Sequence, residues 1–153
     1  MRERTPLSPR LAIVGGAGWK NQAILLAAAR SAFAADIRFL GHVPDGDLPA
    51  LMNGALALVY PSIYEGFGLP PLEAMACGTP VITSDRSSMP EVVGDAAILV
   101  DPEDRASLAD AMVRVMAEPA LSEDLRERGL KQVQRFSWEE TARLTVRVYE
   151  GTS

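Results

Sequence analysis

Along the 153 residues, short apolar runs bounded by glycine or proline alternate with longer stretches in which apolar residues return every three or four positions. The first pattern reads as buried strands, the second as helices that cover them. The runs are residues 11–14, ending in Gly15 and Gly16; 37–40, ending in Gly41; 55–60, closed by Pro61; 80–83, soon after Gly78; and 96–100, closed by Asp101 and Pro102. They predict five strands, with helices over 21–34, 47–53, 69–77 and 88–93 between them. Such alternation gives a parallel sheet with crossover helices, an α/β domain. After Val100 the pattern is helical only, over 103–117, 121–134 and 137–149, and the last segment opens with Ser137 and Glu140 at capping-box spacing. A sheet domain with a C-terminal helical tail results. No repeat, low-complexity stretch or Gly/Ser linker divides residues 1–153, so a single domain is expected.

Composition narrows the chemistry. Hydrophobic residues make up 48% and charged residues 23%, enough for one core. The formal net charge of -5 provides no basic stripe for a phosphate backbone, which excludes nucleic acid as the expected partner. One cysteine, Cys77, and one histidine, His42, exclude an internal disulfide and a His/Cys zinc site, and suit a reducing compartment. The N-terminus has no apolar h-region, and the longest central apolar run, 55–60, falls far short of the ~20 residues of a membrane span. A cytoplasmic domain is expected, with at most a peripheral membrane association.

In open parallel sheets, ligands bind beyond the carboxyl ends of the strands, so the loops after Val14, Leu40, Tyr60 and Thr83 are the places to look. After the third run comes Pro61-Ser62-Ile63-Tyr64-Glu65-Gly66-Phe67-Gly68-Leu69-Pro70-Pro71-Leu72-Glu73. Gly66 and Gly68 let backbone N–H groups come close to a ligand. Pro70 and Pro71 suit a first helical turn, whose free N–H groups attract phosphate. Glu65 and Glu73 flank the loop, and carboxylates accept paired hydrogen bonds from vicinal hydroxyls. A phosphate set between a sugar and a ribose uses all three elements.

Plainer readings stand beside these. Glu73 is also what a helix favours in its first turn, Glu65 a solvated loop acid, and Phe67 a packing residue whose amide alone matters. Asp45-Gly46-Asp47 spells a divalent-metal pair but also suits the N-cap of the following helix. Gly15-Gly16-Ala17-Gly18-Trp19-Lys20 is close to a dinucleotide fingerprint, yet Asn21 replaces the third glycine and the second strand ends in Gly41 rather than an acid. His42 is a general base or, more simply, a structural or base-contacting residue. Cys77 reads as a small buried apolar group, and Trp19 and Trp138 as core or interface residues.

The span from Pro61 through Glu65 and Glu73 to Gly78-Thr79-Pro80-Val81-Ile82 closely resembles the signature of glycosyltransferase family 4. Leu40-Gly41-His42-Val43, the stretch from Ser87 to Ala97, and Phe136-Ser137-Trp138 extend the resemblance over residues 11–149. It implies the C-terminal half of a GT-B fold, in which two Rossmann-like domains face a cleft and this one grips a nucleotide-diphosphate sugar. It further implies that Glu65, Gly66, Phe67 and Gly68 contact the donor sugar, Leu69 the phosphate, Glu73 the ribose, and His42 and Val43 the base. Transfer of a hexosyl group would retain anomeric configuration, with no metal and no cofactor beyond the nucleotide sugar substrate. The Ser87-Ser88-Met89-Pro90-Glu91-Val92 stretch points toward bacterial mannosyltransferase-like proteins, with GDP-mannose or a UDP-sugar as donor.

Measured against that family, the stretch contains no acceptor-binding N-terminal domain and no first strand and loop of the donor domain, where an arginine and a lysine serve the diphosphate; Lys20 falls too late in the fold to be that lysine. The polypeptide alone is therefore expected to bind nucleotide weakly and to have negligible transferase activity, and its open sheet edge to invite self-association or a partner. A non-catalytic nucleotide-sugar-binding or protein-docking module is the alternative, with a hydrolase or epimerase on the same fold as a third.

Overall fold

The computed structural model describes residues 9–16 and 21–151. Strands and helices alternate as β1 (Leu11–Val14), α1 (Gln22–Ala29), β2 (Ile37–Gly41), α2 (Leu48–Asn53), β3 (Leu58–Tyr60), α3 (Leu69–Ala76), β4 (Val81–Ser84), α4 (Met89–Val93) and β5 (Ile98–Val100). The helical tail follows as α5 (Arg105–Ala117), α6 (Pro119–Val133) and α7 (Trp138–Tyr149). The α/β class and the parallel pairing agree with the sequence pattern, but the strands pair in two ladders, β1–β2 and β3–β4–β5. One ladder lies in each of two compact units, Met1–Leu51 and Met52–Ser153.

In the first unit no residue of β1, α1 or β2 is buried. Parallel strands are usually covered on both faces, and two short strands with one helix provide little cover. α1 stops at Ala29, short of the expected 34, because Ser31 accepts a hydrogen bond from the Phe33 amide at 3.1 Å and offers the backbone a turn instead of a further helical bond.

The core sits in the second unit. β4 is buried along its whole length, and its successive side chains feed opposite faces of the sheet. Val81 joins Leu72, Met75, Val92 and Val93 on one side; Ile82 joins Val100, Ala111, Val115 and Leu125 on the other. Helices on both faces of a parallel sheet give the expected layering. α6 lies against α3 where Gly129 has no side chain; a Cβ there would stand 3.1 Å from Met75 Cγ. The buried Gln132 of α6 donates to the Val92 carbonyl at 2.7 Å and so ties α6 to α4.

Several expectations are corrected. The third strand begins at Leu58 rather than Ala55, because the Ala55 amide closes a turn onto the Met52 carbonyl. Cys77 is only half-buried, lying at the exposed end of α3 where its carbonyl accepts from the Asn53 side chain. Trp138 is 75% exposed, on a helix in which no residue is buried. Only half of the capping box forms: Ser137 accepts from the Glu140 amide, while the Glu140 carboxylate pairs with Arg143 instead. Trp19, Lys20 and most of the glycine-rich stretch at 15–20 lie outside the described residues. Among the described residues no helix is long and apolar enough to cross a membrane.

Candidate functional site

The loop between β3 and α3 is fixed at its start by the neighbouring strand β4. Thr83, buried in β4, donates from its hydroxyl to the Tyr60 carbonyl at 2.8 Å. The Tyr60 phenol then reaches forward and donates to Glu65 Oε1 at 2.6 Å, and the Ser62 hydroxyl lies 2.9 Å from the same oxygen. One carboxylate oxygen of Glu65 is thereby held by two hydroxyls, and Oε2 has no partner among the described residues. Glu65 itself is half-buried.

Burial, then the Glu65 hydrogen bond and negative charge, push the Tyr60 phenol up from 10.0 to about 12. A phenol whose folded value is raised contributes stability that is fully present below the unfolded value and lost as pH climbs through the folded one. Stability is therefore expected to fall between about pH 10 and 12, and Tyr60→Phe to flatten that limb. Denaturation followed across this window, with tyrosinate absorbance recorded alongside, tests it; an unchanged slope in the variant would assign the alkaline loss to another group.

Beyond Glu65 the backbone turns sharply into α3. Gly68, buried and with φ of 113°, is the N-cap; Leu69 is the first helical residue, and Pro70 and Pro71 occupy the first turn. Residues 66–69 present four successive N–H groups that find no acceptor among the described residues. Glu73 follows one turn into α3, exposed, and its carboxylate has no hydrogen bond or ion pair among the described residues. As the fifth residue of the helix it lies beyond the first turn, where the attraction of the helix dipole for an acid fades. Phe67 is 44% exposed, and its ring meets Phe136 edge-on with centroids 5.7 Å apart. Beside it opens a shallow, mostly apolar concavity of about 210 Å³, bounded by Phe67, Leu72, Glu73, Phe136, Trp138 and Thr141.

The second unit thus brings Glu65, Gly66, Phe67, Gly68, Leu69 and Glu73 together on one loop and helix start. His42 and Val43 belong to the first unit, in the bend after β2, where Gly41 at φ of 68° turns the chain; His42 is exposed and Val43 half-buried. Asp45 and Asp47 are both exposed, and the Asp47 amide closes a turn onto the Pro44 carbonyl.

Four polar residues at this loop escaped the sequence reading as site residues: Tyr60, Ser62, Ser87 and Ser88. Ser87 donates to the Glu65 carbonyl at 2.7 Å, and Ser88 lies 3.0 Å from that carbonyl and 2.8 Å from the Phe67 carbonyl. Ser88 occupies the N-cap position of α4 yet caps nothing with its side chain. Next to them, Arg86 is engaged by Asp85 and Asp101 at 3.1 and 3.2 Å.

Comparison with known proteins identifies the family and the fold. Residues 3–132 match the family described as glycosyl transferases group 1. O-antigen chain mannosyltransferase B of Escherichia coli is 42% identical over 140 residues, covering 92% of this chain and 37% of that protein. Among solved structures, sucrose-phosphate synthase from Thermosynechococcus elongatus has a TM-score of 0.84 at 32% identity, over 93% of this chain and 38% of that one. HepE from Anabaena in complex with UDP has a TM-score of 0.83 at 21% identity, over 94% and 41%. The chain therefore spans roughly two fifths of the length of each of these relatives. Its match over residues 3–132 and its α/β architecture make it a member of glycosyl transferases group 1, with the fold of GT-B glycosyltransferases.

Proposed function

We propose that the β3–α3 loop holds the diphosphate sugar of a nucleotide-sugar donor, and that the chain is the donor side of a retaining hexosyltransferase. The observation that carries this reading is the run of four N–H groups, 66–69, without acceptors among the described residues, set between the half-held carboxylate of Glu65 and the carboxylate of Glu73, which also has no partner among them. Glu65 Oε2 accepts from a sugar hydroxyl, the amides of Gly66, Phe67 and Gly68 face the sugar, and that of Leu69 faces phosphate. Glu73 accepts from the ribose diol. As the bond between the anomeric carbon and the diphosphate breaks, negative charge grows on the leaving phosphate oxygen. Fixed N–H groups and the positive end of α3 stabilise that charge more than the ground state, which is what accelerates departure. No metal is needed for this step in our reading. Identity to an E. coli mannosyltransferase supports mannose as the transferred sugar.

Calorimetric titration of the chain with UDP, GDP and ADP, each with and without a linked hexose, tests the proposal. Saturable binding of one nucleotide series is expected, with negligible turnover by the 153-residue chain assayed alone. No binding to any series would favour a protein-docking module, a reading that the wholly exposed α7, with Trp138 and Tyr149 75% and 86% exposed, also suits.

A further inference from the structure

The serines at the start of α4 face the loop carbonyls, and the two protons they carry match the two acceptors. Ser87 donates to the Glu65 carbonyl, at 2.7 Å, which leaves the Ser88 proton for the Phe67 carbonyl, at 2.8 Å. The Ser87 oxygen also lies 3.4 Å from the Glu65 amide, so residue 65 is held at both its N–H and its C=O. Among the described residues Ser87 is the one non-glycine with a left-handed φ, at 55°. That conformation is strained for a serine, and here it accompanies a hydroxyl engaged with residue 65.

The peptide bonds here are trans, and in a trans peptide the C=O and the following N–H point in opposite directions. The Glu65 carbonyl and the Gly66 amide share one peptide plane; the Phe67 carbonyl and the Gly68 amide share another. Two carbonyls turned toward the same serine pair therefore turn two amides the other way. We propose that Ser87 and Ser88 are positioning residues of the donor site, holding alternate carbonyls of the loop so that the amides of Gly66 and Gly68 project together toward the donor. This inference rests on the donor reading above and adds to it the residues that set the orientation of the amides. Neither serine touches the ligand itself. The loop would otherwise be free to rotate its peptide planes, because glycine at 66 and 68 imposes no preference.

The test compares Ser87→Gly/Ser88→Ala with the unaltered chain. Glycine suits the left-handed φ at 87, so the hydroxyl is removed without adding strain. Affinities for GDP-mannose and UDP-glucose are measured against those for GMP and UMP, which lack the groups the amides would meet. The double variant is expected to lose roughly tenfold or more in sugar-nucleotide affinity, about the effect of one to two neutral hydrogen bonds, while mononucleotide affinity stays within about twofold. Ser88→Thr, which keeps the hydroxyl, is expected to bind as the unaltered chain does. A uniform loss across all four ligands, or none, overturns the proposal. Absence of sugar-nucleotide binding by the unaltered chain overturns the donor reading itself. In that case amide relaxation judges the clamp: Gly66 and Gly68 are expected to be rigid, with order parameters near ~0.85, and to drop toward ~0.6 in the double variant. Unchanged order parameters there overturn the clamp.

Discussion

Gly68→Ala is expected to destabilise the chain by about 3 kcal/mol, lowering its melting temperature by roughly 6–12 °C. Two costs combine. At φ of 113° an L side chain is strained whatever the space around it. The new Cβ would also stand 2.3 Å from Met89 Cε and 3.2 Å from its Sδ, and Met89 is fully buried. The thioether is flexible, but Met89 is fully buried on α4, which limits its room to retreat. Gly66→Ala provides the control: its Cβ would meet nothing within 4 Å and its φ is not left-handed. Chemical denaturation of the two variants side by side should separate them clearly. Equal midpoints would mean that the turn into α3 relaxes in solution to a backbone that any residue can adopt.

Glu73→Ala is expected to leave stability unchanged and to weaken nucleotide binding by about 10- to 100-fold. The carboxylate is exposed and without a partner among the described residues, so its removal breaks no contact, and alanine favours the helix. A hydrogen bond to a charged group is worth about 1.5–3 kcal/mol, which sets the size of the binding loss. Glu73→Gln keeps one acceptor and should fall between. Calorimetry against a nucleoside diphosphate and the same compound with a 2′-deoxyribose isolates the role. If the alanine variant discriminates between the two sugars as the unaltered chain does, the ribose is held elsewhere.

Much of this architecture was legible because it follows from periodicity. β1 was bounded correctly from its four apolar residues between Arg10 and Gly15, and β4 announced itself as a buried run after Gly78. The glutamates and glycines of the β3–α3 loop stood out through the resemblance to glycosyltransferase family 4, since each alone also has a plainer reading. What stayed hidden depends on contacts distant in sequence. Nothing local in Ser87-Ser88 reveals that their hydroxyls meet carbonyls 20 or more residues away. Tyr60 looked like a strand residue, and its side chain reaching Glu65 depends on how the loop folds back. The strand pattern also could not reveal two ladders, because apolar alternation marks a strand without naming its neighbour. Trp138, expected as a core or interface residue, lies exposed on a helix with no buried residue, so the core half of that expectation falls and the interface half stands untested.

The carboxylates that rim the loop also bear on how fast a ligand arrives. Glu65 and Glu73 are accompanied by an Arg86 already engaged by two aspartates, and the whole chain carries a formal charge of -5. An anionic ligand diffusing toward such a surface meets a repulsive field, so the site forgoes the long-range steering that lifts association above about 10⁵–10⁶ M⁻¹s⁻¹. Added salt should then quicken capture by screening that repulsion, the reverse of its effect on proteins that draw phosphates in through basic funnels.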